Sequence, residues 1–419
     1  MAYREQIPID RGLDNSIAMM SEGYLYISNR CKRYGRDMFE TRLLGGQKAI
    51  CMTGEEAAKV FYDESKFMRE GAAPKRVRQT LFGEKAIQTM DGVSHKHRKE
   101  LFMSLMTEKR LQDIVKIFKE EWRVAIQQWE RQEEITLYSE VTKLLTISAC
   151  KWSGIPLSQM DVNQRANQLE ALFDAAGAFG PRHWKGRQAR NALESWLMSV
   201  IEDVRNGNFD VPEETALYQI AWYHDTDGKT MDPQVAAVEL LNILRPIVAI
   251  AVYISFVALA LLEYPKVKGS LKTEEDFELF VQEVRRFYPF FPFAVARVRD
   301  DFLWKGHDFK KGNLVLLDIY GTNHHSEIWE NPEQFKPERF RNRQKNPFDF
   351  IPQGGGNYTQ GHRCPGEGLT IEIMKASLEL LTNQMDYQVP PQNLSYSMVR
   401  MPSLPKSRIV LQNVKKRME

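Results

Sequence analysis

Two residues in this chain carry chemistry in settings that packing alone does not require: Cys364 and Arg245. Cys364 closes the loop Phe350-Ile-Pro-Gln-Gly-Gly-Gly-Asn-Tyr-Thr-Gln-Gly-His-Arg-Cys364-Pro-Gly366-Glu-Gly368, which runs into a helix expected to begin near Thr370. A cysteine just ahead of a helix feels the positive end of the helix dipole, which favours thiolate over thiol. Glycines let the backbone approach a flat cofactor and aim N–H groups at the sulfur. The combination suits a thiolate ligand to iron. A glycine-rich turn around an inert, buried cysteine is the plainer alternative.

Arg245 sits in Leu240-Leu-Asn-Ile-Leu-Arg245-Pro246-Ile-Val-Ala. Here an arginine enters an apolar helix and is followed at once by a helix-disturbing proline. Burying an unpaired guanidinium costs several kcal/mol, so Arg245 needs an anion. An internal Asp or Glu could supply it, or the side chain could reach water at a helix end. A third candidate is a substrate carboxylate, which a guanidinium grips by parallel hydrogen bonds.

Glu283-Val-Arg-Arg286 places an acid and a base on one helix face, and Pro337-Glu-Arg339-Phe340 follows it. Together with the Cys364 loop, in this order, these motifs resemble the cytochrome P450 family. The resemblance implies a mainly α fold with small β sheets. Haem b would lie between the long central helix and the Cys364 loop, with Cys364 as the axial metal ligand. Glu283, Arg286 and Arg339 would form a structural ion network behind it.

The chain departs from the common pattern of that family at the long helix. The acidic residue and threonine that usually deliver protons there are replaced by Arg245-Pro246. This replacement resembles the fatty-acid peroxygenase branch of the family. So do Phe82, Gln88-Thr-Met-Asp-Gly, His95-Lys-His-Arg-Lys99 and the long Gln353-Gly-Gly-Gly356 loop, and the likeness extends over essentially the whole chain. It implies hydroxylation of long-chain fatty acids at the α and/or β carbon with hydrogen peroxide as co-substrate, and some decarboxylation to terminal alkene. No reductase or ferredoxin would be obligatory.

Carried over residue by residue, Arg245 with Pro246 beside it holds the substrate carboxylate, which itself serves as acid and base. Gln88 lies near the β carbon, where relatives with histidine tend toward decarboxylation; glutamine favours hydroxylation. His95, Lys99 and His362 reach a haem propionate, and Gly366 belongs to the cofactor loop. Phe82, Phe290, Phe291 and Phe293 line the acyl channel. Phe291 stands where relatives carry glycine and would narrow that channel. An ordinary monooxygenase fed by redox partners is the first alternative, and a haem carrier or sensor without turnover the second.

Positioning these residues is the task of a mostly helical chain. Apolar spacing predicts helices over Thr107–Gln132, Leu144–Lys151, Ala189–Arg205, Val235–Glu263, Glu274–Tyr288 and Thr370–Gln384. Short β-like runs at Tyr24–Ile27, Gln47–Met52, Leu314–Asp318 and around Arg408–Leu411 suggest a small sheet. Residues 206–214 and 223–233 read as polar loops. No repeat, low-complexity tract or flexible linker divides the chain, so a single domain over 1–419 is expected.

Composition narrows the surroundings. The 57 Lys plus Arg against 55 Asp plus Glu leave a net charge of +2, which gives no pull toward nucleic acid. Cys31, Cys51, Cys150 and Cys364 are widely spaced without a CxxC pair, which argues against a zinc site or a disulfide scaffold and for a reducing cytoplasm. The start of the chain is polar and lacks the apolar stretch of a signal peptide. The uncharged run Ile247–Leu262 falls short of the roughly 20 residues that cross a bilayer. It reads as a helix buried in the protein, with no membrane span.

Overall fold

The long apolar helix is the axis of the molecule. A computed structural model describes residues 7–417, so the two ends of the 1–419 domain reading, and the first residues of the polar start, lie outside it. Pro233–Glu263 begins with the Asp232 side chain accepting from the backbone N–H groups of Gln234 (3.0 Å) and Val235 (3.3 Å), and with proline at the first turn, where its missing N–H costs nothing. Beyond that cap almost every side chain is buried. Helices Leu137–Ser153, Pro181–Arg205, Val162–Asp174 and Glu367–Glu379 pack around it. Among the described residues it is the one helix long and apolar enough to cross a membrane, and 83% of its most apolar window is covered by the rest of the protein. Pro246 lies inside it without ending it, and takes away the N–H that would otherwise meet the Asn242 carbonyl.

The β structure is larger than one small sheet. Five strands pair in the order Met38–Leu43, Gln47–Met52, Leu314–Asp318, Phe293–Val298, Phe67–Met68. Gln47–Met52 runs parallel to Leu314–Asp318, with Ala49 opposite Leu314, and the other pairings are antiparallel. Glu134–Thr136, Val410–Lys416 and Met385–Gln388 form a second sheet, and Phe302–Trp304 with His307–Phe309 a hairpin.

Several expectations shift. Tyr24–Ile27 is no strand: a 3₁₀ turn, Gly23–Leu25, leads into the helix Tyr26–Tyr34. Tyr26, Ile27, Arg30 and Cys31 are the buried positions of that helix, a helical repeat that a four-residue aromatic run is too short to display. The final strand starts only at Val410, because Arg408 and Ile409 have φ of 58° and 61°. The helix expected from Leu144 starts at Leu137, and the one expected from Ala189 starts at Pro181, in a charged stretch without apolar periodicity. The last helix begins at Glu367 and ends at Glu379, continuing as a π turn over Leu380–Gln384.

Helix Glu274–Phe287 is started by a reciprocal cap between Thr273 and Asp276. Near its end, Arg286 donates to both oxygens of Glu283, at 2.7 and 2.8 Å, with neither side chain exposed. Glu283 also accepts from Arg339 Nε (3.2 Å) and the Lys336 backbone N–H (2.8 Å). Arg286 reaches the carbonyl of Asn323 at 3.1 Å, and the Asn323 side chain accepts from the Ile351 N–H at 3.0 Å. A buried ion group thus ties helix Glu274–Phe287 to the first residues of the Cys364 loop. Removing one partner of such a group strands the other charge, which typically costs 3–5 kcal/mol. Glu283→Ala is therefore expected to lose about 3–5 kcal/mol in denaturant unfolding; a loss under about 1 kcal/mol, the range of an exposed pair, would contradict this.

Candidate active site

Cys364 is held by its own loop and by the helix behind it. Its N–H donates to the Gln353 carbonyl at 3.0 Å, and the Gln353 amide donates to Thr370 Oγ1 at 3.0 Å and lies 3.8 Å from the sulfur. The Gly366 N–H also points at the sulfur. Burial pushes the thiol's pKa up, while Gly366, Lys99 and Arg245 pull it down and do not prevail. The helix starts at Glu367, closer to the cysteine than expected, yet its dipole does not by itself make a thiolate. A bound cation would displace the proton outright.

Glu367 braces the loop. It accepts from Arg363 Nε (2.6 Å) and from Arg285, and Arg285 also reaches Gln353 Oε1 at 3.0 Å. Sequence reasoning singled out Arg286 and missed Arg285, Glu367 and Gln353. Arg285 was visible only as the neighbour of a motif residue. The glycines have a packing reason as well. A Cβ on Gly355 would meet the Tyr62 ring at 3.0 Å and the Pro347 carbonyl at 2.7 Å, and Gly354 and Gly356 have φ of 94° and 79° beside the same ring. The run packs on Tyr62, which already leaves no room for side chains there. Gly366 has room for a Cβ, 4.0 Å from the sulfur, so its contribution is its N–H.

Arg245 is buried at 6% exposure and has no carboxylate partner among the described residues. Its Nη2 donates to Asn242 Oδ1 at 3.3 Å, and its Nε makes no hydrogen bond. Burial lowers its pKa to about 9; Arg190 adds to this, and Cys364, when ionised, opposes it. It stays cationic near neutral pH. No internal acid pairs with it among the described residues, and the helix-end alternative fails because the position is mid-helix. Gln88, in the 3₁₀ turn Ile87–Thr89, likewise has a buried Oε1 with no partner.

Phe82 ends a π turn, Arg78–Phe82, whose carbonyls are gathered by Arg190: Nη1 takes Thr80 and Leu81 at 3.1 Å, and Nη2 takes Phe82 at 2.9 Å. Arg190 is a further residue of this region that the sequence did not announce. Phe290 stacks on Tyr253 of the long helix, with ring centroids 4.2 Å apart. Phe291 packs edge-on to Phe290 and is 39% exposed, while Phe293 packs in the sheet beside Tyr26 and Phe39. The structure brings Phe290 to the long helix and leaves Phe291 and Phe293 at the surface and the sheet.

His95 and Lys99 share helix Gly92–Ser104. His95 stacks on His362, centroids 4.0 Å apart. Burial depresses both imidazoles, His95 to about 3, so the pair is neutral. His362 lies 3.5 Å from Asp91. Lys99 donates to the Arg363 carbonyl, and burial lowers its pKa to about 8. A haem fits this donor set. One thiol with an N–H aimed at its sulfur faces an apolar helix, buried polar atoms on Arg245 and Gln88 are unused, and His95, His362 and Lys99 gather on one flank.

The fold and the cysteine site define a haem-thiolate protein. A cytochrome P450 family model matches residues 277–411. Cytochrome P450EX alpha (CYP152N1) with myristic acid is 47% identical over 99% of this chain and 100% of that one, with a TM-score of 0.96. Cytochrome P450SP alpha (CYP152B1) in complex with (R)-ibuprophen is 46% identical, covering 96% and 99%, at 0.94. Ligand-free cytochrome P450 OleT is 37% identical, covering 99% and 100%, at 0.96. Curated sequences are more distant. The chain spans about a quarter of (+)-menthofuran synthase from Mentha piperita, 29% identical over 140 residues that make up 30% of this chain and 27% of that one. Beta-amyrin 28-monooxygenase from Medicago truncatula is 22% identical across 86% of this chain and 82% of its own length. The chain belongs to the cytochrome P450 family and sides with its CYP152 members.

Cys364→Ser is expected to abolish the ferrous–CO absorption of thiolate-ligated haem, measured by difference spectroscopy. Retention of that absorption would show that another residue holds the iron.

Proposed function

We propose that this protein is a fatty-acid peroxygenase, hydroxylating long-chain fatty acids at the α and/or β carbon with hydrogen peroxide, with some decarboxylation possible. The observation that carries the reading is Arg245: a buried cation on the long helix, without a carboxylate partner among the described residues, where an acid and a threonine would otherwise stand. The myristic acid in the similar P450EX alpha structure supports a fatty acid as the anion that fills it.

A haem held by Cys364, with His95, Lys99 and His362 toward its propionates, supplies the oxidising chemistry when bound. Arg245 holds the substrate carboxylate through its free Nε and one Nη. That anchoring fixes which carbon is oxidised, since only the carbons next to the carboxylate can reach the oxidant. No side chain from Arg245 to Val252 can handle protons for peroxide, so the carboxylate does so. One of its oxygens takes a proton from hydrogen peroxide and returns it to the oxygen that departs as water. The balance is one C–H and one peroxide in, one alcohol and one water out.

Pro246 keeps the turn at Arg245 short of one helix hydrogen bond. Gln88, with its free amide oxygen, flanks the β carbon and favours hydroxylation over alkene formation. Phe82 and Phe290 wall the acyl chain, with Phe291 packed edge-on to Phe290 at the exposed side, while Phe293 packs in the sheet. No reductase or ferredoxin is needed. The four unpaired cysteines suit a reducing cytoplasm. Product analysis by mass spectrometry, with a fatty-acid series and peroxide alone, tests the proposal. Turnover only with NADPH and a reductase would overturn it.

Arg245→Ala should cut fatty-acid kcat/KM by about a hundredfold or more, since losing a charge-assisted anchor both weakens binding and misplaces the reacting carbon. Haem content should hardly change. Activity within threefold of wild type would refute carboxylate anchoring. Because Arg245 must be charged to bind a carboxylate and its pKa is lowered to about 9, fatty-acid affinity should be flat from about pH 7 to 8 and fall above pH 9. Spectral titrations across that range would show it; an affinity that rises above pH 9 has the wrong sign.

A further inference from the structure

We infer that Glu239 is a positioning residue that holds Gln88 and Arg245 in register for fatty-acid hydroxylation; this rests on the functional reading above. Glu239 lies on the long helix before Arg245 and is fully buried. A carboxylate in that position is costly and must be answered on both oxygens. Oε1 accepts from the Ile87 backbone N–H at 2.8 Å and from Arg98 Nη1 at 3.1 Å. Oε2 accepts from Asn242 Nδ2 at 3.0 Å, and Asn242 Oδ1 accepts from Arg245 Nη2 at 3.3 Å.

The polarity of this chain is forced. A carboxylate only accepts and a guanidinium only donates, so the amide between them has a single satisfied orientation. The side chain of Glu239 therefore fixes Asn242, and Asn242 fixes Arg245. Through Ile87 the same carboxylate pins the short turn that presents Gln88. Arg98 balances the charge, but it has a second acid of its own, Asp225 at 2.6 Å. Charge balance alone would not need Glu239 to reach both the turn and the amide. Moving oxidation from the α to the β carbon shifts the substrate by one C–C bond, about 1.5 Å. A hub that sets the spacing of Gln88 and Arg245 acts on that scale.

Glu239→Gln in the haem-loaded enzyme is the test. The new amide oxygen can still satisfy Ile87 and Arg98. Its NH₂ group then faces the NH₂ of Asn242, which must turn over and present a donor to Arg245. Haem content and the CO spectrum should be kept. The KM and the spectral Kd for a long-chain fatty acid should rise on the order of tenfold, and the α-to-β product ratio should change. An unchanged ratio with unchanged KM would overturn the inference.

Asp225→Asn serves as the control, since it disturbs Arg98 without touching Ile87 or Asn242. If it reproduces the effect, Glu239 acts only through charge and the inference fails. Should Glu239→Gln not fold, Asn242→Ala decides: a weaker fatty-acid Kd supports the chain to Arg245, and an unchanged Kd breaks it. If wild type itself neither binds nor oxidises fatty acids, the functional reading falls first, and this inference with it.

Discussion

An apolar helix can carry a guanidinium through the middle of a protein only if some anion answers it, and for Arg245 no side-chain carboxylate among the described residues does. Most of the site follows from that constraint. The long helix is buried on all sides, which gives Arg245 a low-dielectric setting where a carboxylate is held far more firmly than in water. The same burial brings the guanidinium within electrostatic reach of Cys364. One positive group and one potential thiolate are thus both buried and feel each other's charge, and Gln88 carries a further buried oxygen without a partner.

Other buried cations in the protein show what an ordinary solution looks like. Arg286 has both oxygens of Glu283, Arg285 has Glu367 and Gln353, Arg98 has Glu239 and Asp225, and Arg190 has Glu194 and a run of carbonyls. Arg286 and Arg190 have an acid on their own helix and carbonyls from distant segments, and Arg285 and Arg98 have distant acids, so each ties elements together. Arg245 has one neutral amide and a free Nε. Burial does not set Arg245 apart, since all of these are buried; the missing charged partner does, and it is what the proposed substrate anchoring rests on.

The sequence displayed the cysteine loop, the Glu283 motif and Arg245 because each is local: a few residues whose types clash with their neighbours or repeat at a helical spacing. The long helix and strands Gln47–Met52 and Leu314–Asp318 were readable for the same reason. What stayed hidden depends on distance in the chain. Arg190 reaches residues more than a hundred positions away, and Glu239 meets Ile87 across 152 positions. Neither has a local signature beyond being a charged residue on a helix. Tyr24–Ile27 misled because aromatic and β-branched composition outweighed a periodicity that needs a longer window to appear.

The electrostatics of Cys364 complete the picture of what the loop is for. Burial raises its pKa by more than Gly366, Lys99 and Arg245 lower it, so the protein alone favours a neutral thiol. A nucleophilic cysteine needs the reverse, a pKa brought down by its surroundings. A metal ligand does not, because the cation itself removes the proton and then keeps the sulfur's charge in a dry, braced position. The bracing by Gln353, Arg285, Glu367 and Arg363 supplies that rigidity without neutralising the sulfur, which leaves its electron density for an iron. That bracing and the dry setting suit the loop to mounting a metal, and in the proposed function Arg245 on the long helix is the anchor for the substrate.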